Sequence, residues 1–206
     1  MNEILIEPAY GGSVSYYSAL FSADKIIFDL HSYYEKRSYR NRCKILSPNG
    51  VLNLSIPLVK GKNQKQLFKE VKISYAEHWQ KDHWMSLQSC YRRSPFFEFY
   101  EDNFRPFYTR QFEFLHEFDL AFFKAVALLL KWNPRVQLST EFIPSKLYEG
   151  RDMREHFLPN RPQQTKPYLQ VFAGRSGFVN DLSVLDLLFN MGNESAAYLS
   201  RSNAHG

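Results

Sequence analysis

The densest chemistry in the chain is a run of cations, Lys36, Arg37, Arg40, Arg42 and Lys44, with Tyr39 and Asn41 between them. It leads through Ser47-Pro48-Asn49-Gly50 into the alternating segment VLNLSIPL. As a strand over 36–46, the run places Lys36, Arg40, Arg42 and Lys44 on one face and Tyr39, Cys43 and Ile45 on the other. This predicts an anion-binding strand on a hairpin, with guanidinium forks suited to phosphate or carboxylate. From charge alone the same stretch reads as a solvated edge that discourages strand-to-strand aggregation.

The other candidates are scattered. Tyr10 precedes the pair Gly11-Gly12 in a turn without the GxGxxG or GK[ST] of nucleotide-binding loops, so no motif names a cofactor. His83 is the preferred general base. It shares a helical face with Cys90, but about two turns apart, near 10 Å, too far for a nucleophile–base hydrogen bond. Tyr91 lies on the neighbouring stripe of that helix. His78 and His83 are five apart and do not make a metal pair. Asp152 and Arg154 read as a surface ion pair or as part of an anion site. Gln170 and Asp186, inside apolar runs, need buried partners; a hairpin arginine is the expected partner of Asp186.

Elements must position these groups. Ile4-Leu5-Ile6, a glycine turn, a Ser13-capped helix and the run 26–30 make a βαβ unit with parallel strands. Ligands of such sheets sit beyond the carboxyl ends of the strands, near Tyr10 and Asp29. A strand is expected at 68–73. Ser74 and Glu77 fit a capping box for a helix through Tyr91. A long buried helix is expected over 107–132, a strand over 136–140, a short helix or turn over 150–155, and a strand over 168–172. A last helix over 184–190 ends at Gly192. Residues 61–65 form the polar loop expected to move most. The fold class is α/β, with α+β as the alternative. The βαβ unit and the hairpin build one mixed sheet, and a largely helical segment, 74–132, packs on it. One domain over 1–200 and a flexible tail over 201–206 are expected.

The 206 residues carry a net charge of +5, and 17% of them are aromatic, which argues against disorder. The charge excess is modest: anions attract, but nucleic acid is not the default partner. Cys43 and Cys90 form no CxxC pattern; one disulfide is open to them, and the favoured reading is a reduced pair in the cytoplasm. The most apolar stretch, 118–130, contains Asp119 and Lys124 and is too short and too charged to span a bilayer.

The stretches YEKRSYRNRCKI, NGVLNLSIPL, HWMSLQSCYRRSPFFEFY, RDMR, PYLQVF and GFVNDLSVLDLLFNMG together resemble the WbqC-like family of bacterial proteins. The first turn, PAYGGSVSYYSAL, departs from the family pattern. The resemblance implies association with surface-polysaccharide gene clusters and carries no settled reaction. Two readings follow. In one, the protein is a transferase of acyl or aminoacyl type acting on a phosphorylated or nucleotide-activated sugar. Lys36, Arg37, Arg40 and Arg42 hold the phosphates; Tyr10, His83, Asp152, Arg154 and Gln170 line the reacting end. The alternative is a non-enzymatic module for nucleic acid or an acidic partner. A third view makes the arginines structural, pinning Asp29 and Asp186.

Overall fold

The computed structural model describes residues 2–59 and 66–202. The loop at 61–65 therefore lies outside the described residues. The chain folds as a mixed α/β protein. The four-stranded parallel sheet is ordered β5 (Val136–Leu138), β2 (Lys25–Phe28), β1 (Glu3–Ile6), β6 (Arg151–Asp152), with β2 and β1 its inner strands. Leu5 pairs with Ile27 and with Asp152. Ser13 caps α1 (Val14–Phe21), its Oγ accepting from the Tyr16 amide at 3.3 Å. The βαβ unit is thus present as the sequence implies.

The basic run does not build a strand along its length. β3 begins only at Arg42 and runs Arg42–Ser47, paired antiparallel with β4 (Gly50–Ser55) across the two-residue turn Pro48-Asn49. Residues 36–41 are irregular instead, and Arg37 takes a left-handed backbone (φ 63°). The reason is tertiary: the Tyr10 amide bonds to the carbonyl of Tyr39, and the Ile56 amide to that of Asn41. The hairpin is a separate two-stranded sheet, so the expected single mixed sheet is corrected to a parallel sheet plus a hairpin.

The expected helix over 107–132 is shortened at both ends. α2 (Trp79–Tyr91) and α3 (Phe97–Phe104) come first, and α4 (Leu115–Leu129) starts eight residues later than expected. The backbone before α4 is claimed by a neighbour: the Ile73 amide bonds to the Glu113 carbonyl, and the Leu115 amide to the Val71 carbonyl. The same pairing replaces the expected strand at 68–73 with a short 3-10 turn and isolated bridges. It also removes the capping box: Ser74 donates its amide to Pro57, and α2 begins at Trp79.

β5 (Val136–Leu138) completes the sheet. Residues 168–172 form no strand; Tyr168 bonds to Asp186 and Gln170 to the Val179 backbone instead. After the short α5 (Ala173–Ser176), α6 (Val184–Met191) is capped by Ser183 and stopped at Gly192, as expected. A further helix, α7 (Ser195–Ser202), occupies the start of the expected tail. The core is aromatic: Tyr10, Tyr17, Phe28, Phe104, Phe118, Phe122 and Phe189 are fully buried. Burying each such ring stabilises by about 1.5–3 kcal/mol. Among the described residues no helix is long and apolar enough to cross a membrane.

Candidate functional site

At the carboxyl ends of β1, β2 and β6 the chain opens a cleft of about 430 Å³, lined by Glu7, Ser32, Arg40, Phe142, Ser145, Asp152, Arg154 and Glu155. This is where open parallel sheets bind ligands, because each strand there hands its chain to a loop. Glu7 follows β1. Asp29 follows β2 and lies buried behind Arg154, with no exposed surface. Asp152 ends β6, and Arg154 comes two residues later.

Two guanidinium groups organise the walls, and both are already paired. Arg154 donates from Nη1 to Asp29 Oδ2 (2.8 Å), from Nε to Asp152 Oδ1 (2.9 Å) and from Nη2 to Ser145 Oγ (3.0 Å), and it lies over the Phe142 ring. Asp29 Oδ1 also accepts from the amides of His31 and Ser32 and from Ser139 Oγ. Burial pushes the Asp152 carboxyl up, but the Arg154 and Ser145 hydrogen bonds outweigh it and hold it below the usual carboxylate range. Those same bonds to Asp152 and Asp29 raise Arg154 further.

Across the cleft Arg40 donates from Nη2 to Glu7 Oε1 (2.6 Å) and from Nη1 to the Tyr33 carbonyl (2.7 Å), over the Phe68 ring. The Glu155 amide also points at Glu7 Oε1 (3.2 Å), with Glu155 itself in the left-handed region (φ 58°). Glu7 Oε2 takes no partner among the described residues, and Ser32 Oγ is buried without one. Behind Glu7 and Arg40 a smaller hollow of about 20 Å³, bordered by Tyr16, Ser38, Tyr39 and Phe157, has room for about one water.

The charge balance is not the one the basic run suggests. Glu7, Asp152 and Glu155 line the cleft beside two guanidiniums, so carboxylates outnumber cations there in a chain that is basic overall. Lys36 and Arg37 stand exposed on the loop that carries Ser32 and Arg40. Arg42 is half-buried at the start of β3, and Lys44 donates to the Pro159 carbonyl. The hairpin cations therefore spread over different surroundings and do not form one basic face.

The structure brings together Arg40, Asp152 and Arg154 and separates the rest. Tyr10 is fully buried, its hydroxyl 3.1 Å from His83 Nδ1 and 2.9 Å from the Tyr108 hydroxyl. Burial lowers His83 to about 4 and keeps it neutral inside the aromatic core, stacked on Tyr10 and edge-on to Trp79. Tyr91 and Tyr168 each donate to Asp186 at 2.7 Å, which corrects the expected arginine partner of that carboxylate. Burial raises Asp186 to about 6 against those donors. Gln170 is a structural clamp, donating to the Val179 carbonyl and accepting from its amide. Asn41 ties Tyr34 to the Ile56 carbonyl. Asp152 sits in a strand, not in the expected helix or turn, and this brings it beside β1. Sequence reasoning missed Glu7 as a site residue; its place directly after β1 was the available signal.

A model of the WbqC-like protein family matches residues 8–153. A Mycobacterium tuberculosis protein described as uncharacterised is 26% identical over 218 residues, covering 89% of this chain and 91% of its own length. No solved structure matches.

Proposed function

The chain belongs to the WbqC-like family, and from that premise we propose that it takes a phosphorylated or nucleotide-activated sugar into the cleft and modifies it, as a transferase of acyl or aminoacyl type in surface-polysaccharide biosynthesis. The observation that carries this reading is the cleft itself, at the carboxyl ends of parallel strands, walled by two fixed arginine–carboxylate pairs and the Phe142 ring. Small-molecule sites combine an aromatic or apolar lining with a few placed polar groups that fix the ligand's orientation. Pre-paired side chains lose little freedom on binding.

The surplus of acceptors assigns the parts of the ligand. The ligand's hydroxyl or amino groups are assigned to Glu7 Oε2, and its phosphates to the exposed Lys36 and Arg37 on the loop that carries Arg40. In a transfer reaction Glu7 is the carboxylate placed to take a proton from the attacking group. Arg40 orients Glu7, and Arg154 holds Asp152 and Asp29.

The test is a thermal-shift panel of sugar phosphates and nucleotide sugars, in matched pairs that carry hydroxyl or amino groups. A ligand at one hundred times its dissociation constant stabilises by about 2.7 kcal/mol, a clear rise in melting temperature. The Glu7→Gln variant is expected to bind more weakly. An unchanged melt across the whole panel overturns the reading.

A further inference from the structure

The hydrogen bonds of the cleft leave one kind of valence open. Arg154 donates from Nε and Nη2 to Asp152, from Nη1 to Asp29 and from Nη2 again to Ser145 Oγ, which engages four of its five N–H groups. Both oxygens of Asp152 are taken up by these bonds. Asp29 is filled as well, by Arg154 on Oδ2 and by two amides and Ser139 Oγ on Oδ1. Arg40 and the Glu155 amide both meet Glu7 at Oε1. Of the carboxylates that line the cleft, only Glu7 Oε2 and the Glu155 side chain then have no partner among the described residues. Both residues border the cleft and the smaller hollow behind it, and the Glu155 amide lies 3.2 Å from Glu7, so the two are neighbours. Three lining carboxylates against two guanidiniums leave one negative charge in excess, and Asp29 behind Arg154 adds a second.

We propose that Glu7 and Glu155 together hold a primary ammonium group, so that the ligand of the cleft is an amino sugar; this rests on the transferase reading above and narrows its substrate class. A hydroxyl has one hydrogen to give and serves one of the two carboxylates. An ammonium has three, serves both, and offsets the excess charge. Charge-assisted hydrogen bonds are about twice as strong as neutral ones, and a cleft lined by one sign of charge draws in the opposite sign. A metal ion suits the donors less well, since among the described residues no three His, Cys, Asp or Glu side chains come together to hold one. The division of charge fits an amino sugar that also carries phosphate. Its anionic end meets the exposed Lys36 and Arg37, and its cationic end meets carboxylates whose own arginines are already paired.

The test is titration calorimetry of the full chain with matched triplets of nucleotide sugars. The members of a triplet differ only in carrying a hydroxyl, a free amine or an acetylated amine at one ring carbon. The free amine is expected to bind about tenfold tighter than the hydroxyl, and acetylation, which removes the charge, should abolish that advantage. Glu155→Gln, a change at an exposed side chain, is expected to erase the preference for the amine, and Glu7→Gln to do the same. Should either variant fold poorly by circular dichroism, the wild-type pH profile is the second readout: the preference should fade as pH rises through the ligand amine's own pKa. Triplets that bind with the amine no tighter than the hydroxyl overturn this inference and leave the transferase reading standing. A preference that survives both substitutions, or that stays flat with pH, also overturns it. No binding by any member overturns both.

Discussion

Two buried groups titrate in opposite directions over the same pH range, and substitution should expose the cancellation. Desolvation lowers His83 from 6.5 to about 4, so between these values the unfolded chain binds the proton the folded chain refuses. Stability from His83 is complete above pH 6.5 and is lost as pH falls toward 4. Asp186 does the reverse. Burial raises it from 3.8 to about 6, so the folded chain holds a proton the unfolded chain has released. Its contribution is complete below pH 3.8 and is lost as pH rises through 6. At 1.36 kcal/mol per pH unit, each displacement is worth about 3 kcal/mol. The wild-type profile between pH 4 and 6.5 is therefore nearly flat as far as these two groups decide it. Asp186→Asn should make stability rise with pH by about 3 kcal/mol relative to wild type, and His83→Gln should make it fall by about 3. Urea unfolding of the three proteins at half-unit steps from pH 4 to 7 reads this directly. Mutant-minus-wild-type differences that stay constant with pH refute the reasoning, because they would mean that neither group changes its proton affinity on folding.

Removing one partner of the buried ion pair strands the other. Arg154→Met should destabilise by about 3–5 kcal/mol in denaturant melts because the buried Asp29 loses its ion-pair partner, and adding Asp29→Asn should recover part of the loss. Gly192 sits at φ 55°, with the Phe96 ring 2.5 Å from where a Cβ would stand; Gly192→Ala should lower the melting temperature by an amount worth about 1–3 kcal/mol. Lys36→Ala with Arg37→Ala should leave the melt unchanged, since both side chains are exposed, yet weaken nucleotide-sugar binding in titration calorimetry, with the deficit shrinking at high salt.

Local signals were legible wherever the chain's own neighbours decide conformation. The strand–turn–helix–strand at the start and the Ser183–Gly192 helix both follow from caps, glycines and apolar spacing, and the hairpin turn at Pro48-Asn49 from its turn residues. Where a distant segment claims the backbone, the pattern misled. The helical periodicity over 107–132 is real, yet residues 113–115 bond to 71–73, and the helix waits until Leu115. The extended look of 168–172 reflects alternate burial against α6 and α7, not a ladder.

Residue types alone determined that Asp29 and Asp186, set in apolar runs, would call for hydrogen-bond donors once buried. Which met which was decided only by the tertiary structure. Arg40 went to Glu7 and Arg154 to Asp29, while Asp186 found two tyrosines. His83, the obvious base by type, became a neutral core residue, and Glu7, which lines the cleft, kept one oxygen without a partner among the described residues. Side-chain chemistry is local, but the partner that neutralises or leaves free a given atom sits 33, 125 or 95 residues away, and packing rather than sequence spacing chooses it.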